Sequence, residues 1–409
     1  MLFRSLRRAV SFWKDVPQGP PDPILGISEA FKRDTDPKKV NLGVGAYRDD
    51  NSKPWILPSV KKAEDAIYNG KGDHEYLPIE GFDAFNTSAV KLAYADCPAV
   101  ADKRIAACQS LSGTGALRLG MAFLKRFYPK SNTVLVPNPT WGNHKTIAKD
   151  SGLDWKEYTY YNPANYGLNF NGLVGDLEKA PDGSIVLLHA CAHNPTGVDL
   201  THAEWDQLYD LFAKKNHVPF FDMAYQGFAS GNTDHDAYAP RKFVKGGKSI
   251  LLCQSFAKNF GLYGERIGCF SIVCDDAAEK DRVMSQVKIL ARPMYSNPPI
   301  YGAKVVSTVL NTPDFNKQWL ADVKTMADRI INMRAALVDG LKTCGSTRDW
   351  SHITKQIGMF AFTGLKADQC QRLAKEFHIY MTMDGRISLA GLNSKNVNYV
   401  AEAIFKVSN

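Results

Sequence analysis

The sequence predicts an α/β fold: a large domain built on a mostly parallel sheet between helices, with a smaller α+β domain. Three observations lead there. Short apolar runs such as SIVLLH (184–189), VPFFD (218–222) and ILLC (250–253) read as strands buried on both faces. Helical patterns separate them, which implies right-handed crossovers and a parallel arrangement. Each run also releases polar residues at its carboxyl end, where open α/β sheets hold ligands.

Composition sets the bounds. The chain has 409 residues, 44% hydrophobic and 22% charged, which suits a sizeable globular core. No apolar run is long enough to span a membrane. The net charge of +8 is not gathered into basic blocks, so it argues little for nucleic acid and fits anionic small substrates. Eight cysteines show no CxxC pair and no zinc-ligand spacing. They read as reduced, mostly buried thiols in a reducing compartment, with no metal site expected.

Along the chain, residues 1–14 (MLFRSLRRAVSFWK) carry basic residues and no acid. As a helix they place Arg4, Arg7 and Arg8 opposite Leu2, Leu6 and Val10, which resembles a mitochondrial transit peptide; a plain basic tail is the alternative. Residues 15–50 form an arm and part of the small domain. Pro17–Leu25 is proline-rich and reads as extended, Gly26–Arg33 as a short helix, and Val40–Tyr47 as a strand or glycine-bearing loop. The large domain covers 51–324. Its elements are a helix at Ser59–Asn69, a loop at 74–81, a strand at Ile105–Leu111 and a helix from Ser112 to about Phe127. Strands follow at Asn132–Val136 and Asp154–Tyr160, flanking a helix near 142–151. His202–Lys215 is amphipathic, and 290–302 (LARPMYSNPPIYG) is rich in turn signals. A helical pattern from about Asp314 to Leu341 is long enough to connect two domains. The small domain, 325–409, adds strands at Met359–Thr363 and Ile387–Leu389 and helices at Ala367–Phe377 and Asn396–Lys406.

The chemistry gathers after the strands. Lys258 follows the run at 250–253, and its amine becomes a nucleophile where burial or a nearby cation lowers its pKa. Ser255 and Arg266 flank it and can hold a phosphate. Ser112-Gly113-Thr114 opens a helix, an anion site through its N–H groups, or merely a cap. Asp222 ends a buried strand; it can cap a helix, or keep a heterocyclic nitrogen protonated. Tyr225 and Asn194 can bond a phenolic oxygen on the same ring, and Trp141 can stack on it. Arg386 and Arg292 are candidates for carboxylate binding by forked hydrogen bonds.

Taken together, SGTGALR, NPTWGNH, HACAHNPTG, DMAYQGFASG, QSFAKNFGLYGERIG, RPMYSNPP and DGRIS resemble, in order and spacing, the aspartate aminotransferases of the fold-type-I pyridoxal 5′-phosphate enzymes. The resemblance runs from about Gly19 to the end and is nearest the mitochondrial members, through GPPDPILG. It implies reversible transfer of the amino group of L-aspartate to 2-oxoglutarate. It also implies a homodimer with shared active sites, a covalent cofactor bond and proton shuttling by Lys258, and Asp222, supported by His144, on the ring nitrogen. Asn194 and Tyr225 would meet the ring hydroxyl oxygen, and Trp141 the ring face. Ser112, Gly113, Thr114, Ser255 and Arg266 would hold the phosphate, with Tyr76 from the partner subunit. Arg386 would bind the substrate α-carboxylate and the partner's Arg292 the side-chain carboxylate, while Gly45 and Phe360 line the pocket. An aromatic or kynurenine-type aminotransferase on the same scaffold is the alternative, and a non-catalytic nucleotide-binding protein is a more distant one. The chain departs from the family at Glu80, expected near the cleft entrance, and at Phe256 and Phe260 beside the lysine.

Overall fold

A computed structural model describes residues 11–19, 23–70, 72 and 74–408. Of the N-terminal segment 1–14, residues 1–10 lie outside the described residues.

Seven strands make the central sheet: β1 (Ile105–Leu111), β2 (Thr133–Asn138), β3 (Asp154–Thr159), β4 (Ile185–His189), β5 (Val218–Met223), β6 (Leu251–Ser255) and β7 (Ile267–Val273). Their spatial order is β1-β7-β6-β5-β4-β2-β3. All ladders between β6 and β3 are parallel; β7 alone runs against both its neighbours.

Alternation along the strands feeds two cores, one on each face. Leu251 and Cys253 of β6, Phe270 of β7 and Leu187 of β4 join one cluster with the helix Ser112–Phe127. Leu252, Cys269 and Leu188 join the other, which extends into the C-terminal region. Gly120 lets the helix Ser112–Phe127 lie close on the sheet, since a Cβ there would meet the Phe220 ring at 2.8 Å and Phe270 at 2.9 Å.

The helix Pro313–Thr343 spans 31 residues, about 46 Å at 1.5 Å per residue. Its buried stripe, Trp319, Val323, Met326, Ile330, Leu337 and Leu341, keeps helical spacing and packs on the helices Pro58–Tyr68, Tyr301–Asn311 and Val397–Ser408. Beyond it, Phe360–Phe362 pairs antiparallel with Arg386–Ser388, and Val40–Asn41 pairs parallel with Ile379–Tyr380. The segment at Val40–Asn41 is thereby joined to the C-terminal region.

Some element boundaries differ from the sequence reading. The first helix begins at Pro23, inside the stretch read as extended, because proline is well tolerated in a first turn. Only Val40–Asn41 of Val40–Tyr47 is strand. The turn-rich stretch at 290–302 lies partly in the helix Ala277–Tyr295, which accommodates Pro293 in its last turn. All eight cysteines are free thiols, seven of them buried. Among the described residues no helix is long and apolar enough to cross a membrane, and no group of side chains is arranged to hold a metal.

Candidate active site

The carboxyl ends of five strands, β1, β2, β4, β5 and β6, and the start of β7 meet at one edge of the sheet, and the reversed strand explains how. Because β7 is antiparallel, its first residue pairs with the last of β1, Ile267 opposite Leu111. This sets Arg266 beside Ser112, whose N–H donates to the Arg266 carbonyl at 3.0 Å. Gly268 permits the approach: a Cβ there would lie 2.4 Å from the Ser112 carbonyl carbon. Across the same corner the Ser112 and Ser255 hydroxyls are 3.0 Å apart. Ser112, Gly113 and Thr114 form the first turn of the 16-residue helix, with N–H groups that have no partner inside it. Two hydroxyls, a helix amino end and a guanidinium converge on one place, which suits an anion.

A cleft of about 360 Å³ opens there. Its lining includes Ser112, Gly113, Thr114, Ser255 and Arg266 at the anion corner, and Trp141, Asn194, Asp222, Tyr225 and Lys258 further in. Gly45, Phe360 and Arg386 close the far side, brought from the chain's two ends.

Asp222 sits on the floor with its side chain 12% exposed and accepts from His144 Nε2 at 2.9 Å. Behind it runs a directed chain of donors. The Asn194 N–H faces His189 Nδ1 at 3.4 Å, so His189 Nε2 donates to Thr140 Oγ1 at 3.1 Å. The Thr140 hydroxyl then donates to His144 Nδ1 at 2.8 Å, which leaves His144 Nε2–H for the carboxylate. Burial by itself raises the Asp222 pKa. The hydrogen bond from His144 outweighs it, with a smaller pull from Lys258, and holds the carboxyl below its ordinary value. Burial, aided by His144, pushes His189 down to about 3, so it stays neutral.

Lys258 lies past the end of β6, its Nζ 5.9 Å from the centre of the Tyr225 ring. Desolvation lowers its pKa from the lysine norm; Arg266 adds to the shift and Asp222 opposes it. Among the described residues its amine has no hydrogen-bond partner. Burial raises the Tyr225 phenol above its ordinary value, so at neutral pH it is a donor.

Arg386 is buried, with its guanidinium 4.2 Å from the centre of the Phe360 ring. Its Nη1 reaches Asn194 Oδ1 at 3.4 Å and Nη2 the Gly43 carbonyl at 3.2 Å, while its buried Nε has no partner among the described residues. A buried fork with a spare donor and no carboxylate is built to receive one. Gly45 keeps the space open: a Cβ there would strike the Phe360 ring at 2.8 Å.

The family model described as "Aminotransferase class I and II" matches residues 37–404. A Dictyostelium discoideum protein named mitochondrial aspartate aminotransferase is 56% identical over 406 residues, 99% of this chain and 95% of its own. The chain belongs to the class I and II aminotransferases. Among solved structures, a mitochondrial aspartate aminotransferase from Trypanosoma brucei superposes with a TM-score of 0.91 at 47% identity, covering 94% of this chain and all of its own. An aromatic-amino-acid aminotransferase from Burkholderia pseudomallei, covalently bound to pyridoxal phosphate, gives 0.95 at 42%, covering 98% of this chain and all of its own.

The cleft of this aminotransferase fits that cofactor's chemistry. The anion corner suits a phosphate, the ionised Asp222 suits a protonated ring nitrogen, and the unpaired Lys258 amine suits a covalent bond to an aldehyde. Tyr76 and Arg292 are different. Tyr76 is 83% exposed on the loop 74–81, Arg292 is exposed on the last turn of Ala277–Tyr295, and neither lines the cleft of its own chain. Glu80 is not at the cleft either; its carboxylate reaches Lys288 Nζ at 2.6 Å. Phe256 and Phe260 are core residues, packed edge-on to Phe85 and stacked on Trp319 respectively. Sequence reasoning missed Thr140 and His189. The signal for His189 was a histidine ending the apolar run SIVLLH, but its partner in the chain of donors is visible only in three dimensions.

Proposed function

We propose that this aminotransferase transfers the amino group of L-aspartate to 2-oxoglutarate, giving oxaloacetate and L-glutamate, with pyridoxal phosphate bonded to Lys258. The observation that carries the reading is the buried, carboxylate-free Arg386 facing the unpaired Lys258 amine across one cleft. The identities of 47–56% to proteins named aspartate aminotransferase support the choice of substrates.

When bound, the cofactor supplies an electron sink that acidifies the substrate Cα–H. Ser112, Gly113, Thr114, Ser255 and Arg266 hold its phosphate, and Trp141 covers the ring face. Asp222, kept ionised by the His144 chain, holds a proton on the ring nitrogen. Asn194 and Tyr225 hold the ring hydroxyl oxygen. Arg386 would grip the substrate α-carboxylate and aim the Cα–H at Lys258, whose amine, free once the substrate's own amino group has replaced it on the cofactor, would take that proton. Gly45 and Phe360 shape the wall.

The enzyme is a homodimer in this reading. Each cleft borrows Tyr76, for the phosphate, and Arg292, for the side-chain carboxylate, from the partner subunit. Residues 51–324 hold the cofactor, while 15–50 and 325–409 carry Gly45, Phe360 and Arg386 against it.

A substrate without the second carboxylate leaves Arg292 desolvated and unpaired, which is costly. Arg292→Asp therefore lowers kcat/KM for aspartate by about 10²-fold or more but that for phenylalanine far less; equal losses contradict the assignment. The mitochondrial names of the relatives support residues 1–14 as a matrix-targeting segment. Fused to a fluorescent reporter, the segment directs it to mitochondria, and a cytosolic reporter rejects the assignment.

A further inference from the structure

Tyr76 and Arg292 sit on neighbouring pieces of backbone. Tyr76 belongs to the loop 74–81, and Arg292 to a helical turn that is weak by itself. Pro293 has no N–H to give, and its ring crowds the carbonyl four residues back. Side-chain bonds to neighbouring segments brace that turn. Tyr295 donates its hydroxyl to the Gln109 carbonyl at 3.1 Å, Asn297 Nδ2 donates to the Leu77 carbonyl at 2.5 Å, and Gln109 Nε2 donates to the Pro299 carbonyl at 2.7 Å.

One ionic contact joins the same two pieces: Glu80 to Lys288 at 2.6 Å. Lys288 lies four residues before Arg292 on the same helix face. Glu80 lies four residues after Tyr76, on a fixed turn. The Gly81 N–H closes that turn on the Pro78 carbonyl at 2.9 Å, and the Glu80 carbonyl accepts from Gln109 N and Asn86 Nδ2, both at 2.8 Å. The two side chains are 33% and 37% exposed, so the pair adds little to global stability. What it does is tie an under-bonded helix end to a rigid turn.

We propose that Glu80 and Lys288 are positioning residues: their ion pair sets the pose in which Arg292 is offered to a dicarboxylate in the partner subunit's cleft. The inference rests on the substrate reading above.

The test uses holoenzyme and three variants, Glu80→Gln, Lys288→Met and the double. Each single change raises KM for aspartate and for 2-oxoglutarate roughly three- to tenfold, with a smaller effect on kcat and on phenylalanine turnover. The double variant is no worse than the poorer single, because one contact is being removed. A merely structural role would lower all substrates together along with Tm. Uniform losses, additive losses, or unchanged KM values overturn the proposal. Wild-type enzyme that ignores aspartate overturns the substrate reading and takes this inference with it. Wild-type enzyme that turns over aspartate beside indifferent variants overturns this inference alone.

Discussion

Lys258 is buried where protonation of its amine is disfavoured. Desolvation, then Arg266, lowers its pKa, and Asp222 only partly offsets them. The sign is that of a depressed lysine: between the folded value and about 10.5 the unfolded chain binds more protons, so apoenzyme stability rises with pH through that window. The same shift governs reactivity, since only the free amine attacks an aldehyde. The rate at which apoenzyme captures pyridoxal phosphate therefore climbs with pH and levels off below 10.5. Stopped-flow absorbance across pH checks this, and a rate still climbing at 10.5 contradicts it. At this scale the sequence was informative: the position of Lys258 after a buried run, with Ser255 and Arg266 around it, pointed to the site. It could not place Thr140 and His189 behind Asp222, because those bonds join three separate strand ends.

At the scale of elements, the reversed strand β7 makes the anion corner. It delivers Arg266 to the edge where β1 delivers Ser112, and Gly268 lets the two backbones touch. Gly268→Ala forces them apart. Overpacking of this kind costs about 1–3 kcal/mol, and cofactor affinity falls by roughly tenfold or more as the phosphate donors separate. Gly264→Ala is the control, having nothing within 4 Å of the added Cβ. Equal affinity in the two variants would reject the corner as the phosphate site. The boundaries of Ile105–Leu111, Ser112–Phe127, His202–Lys215 and Ala367–Phe377 were legible in the sequence. Other elements were not. The helix Asp83–Tyr94 (DAFNTSAVKLAY) is rich in residues that favour turns and caps, and it is held by packing of Phe85, Ala89 and Tyr94. The end of Ala277–Tyr295 was hidden by Pro293, which a sequence reader takes as a stop.

Across the whole molecule, the cleft depends on regions far apart in sequence. Arg334, buried on the long helix, donates to the carbonyls of Ile353, Gly358 and Phe360 at 3.0, 2.7 and 2.5 Å. It holds the strand whose Phe360 ring carries the Arg386 guanidinium. The NPTG turn bearing Asn194 presses on the same segment, since a Cβ on Gly197 would lie 2.9 Å from the Phe360 carbonyl. Phe360, the Arg386 fork and the Asn194 amide are thus fixed relative to one another, and Lys258 and Asp222 face them from the sheet. On the proposed reading, this one cleft joins a covalently held pyridoxal cofactor to dicarboxylate recognition. The most direct test is the visible spectrum of protein saturated with pyridoxal phosphate, recorded before and after L-aspartate and again after 2-oxoglutarate. The expected result is a bound chromophore that bleaches with aspartate and returns with 2-oxoglutarate, and no chromophore in Lys258→Ala after removal of free cofactor under the same wash. A band that aspartate leaves unchanged while an aromatic amino acid bleaches it would contradict the substrate assignment, and no stable band at all would contradict the role of Lys258.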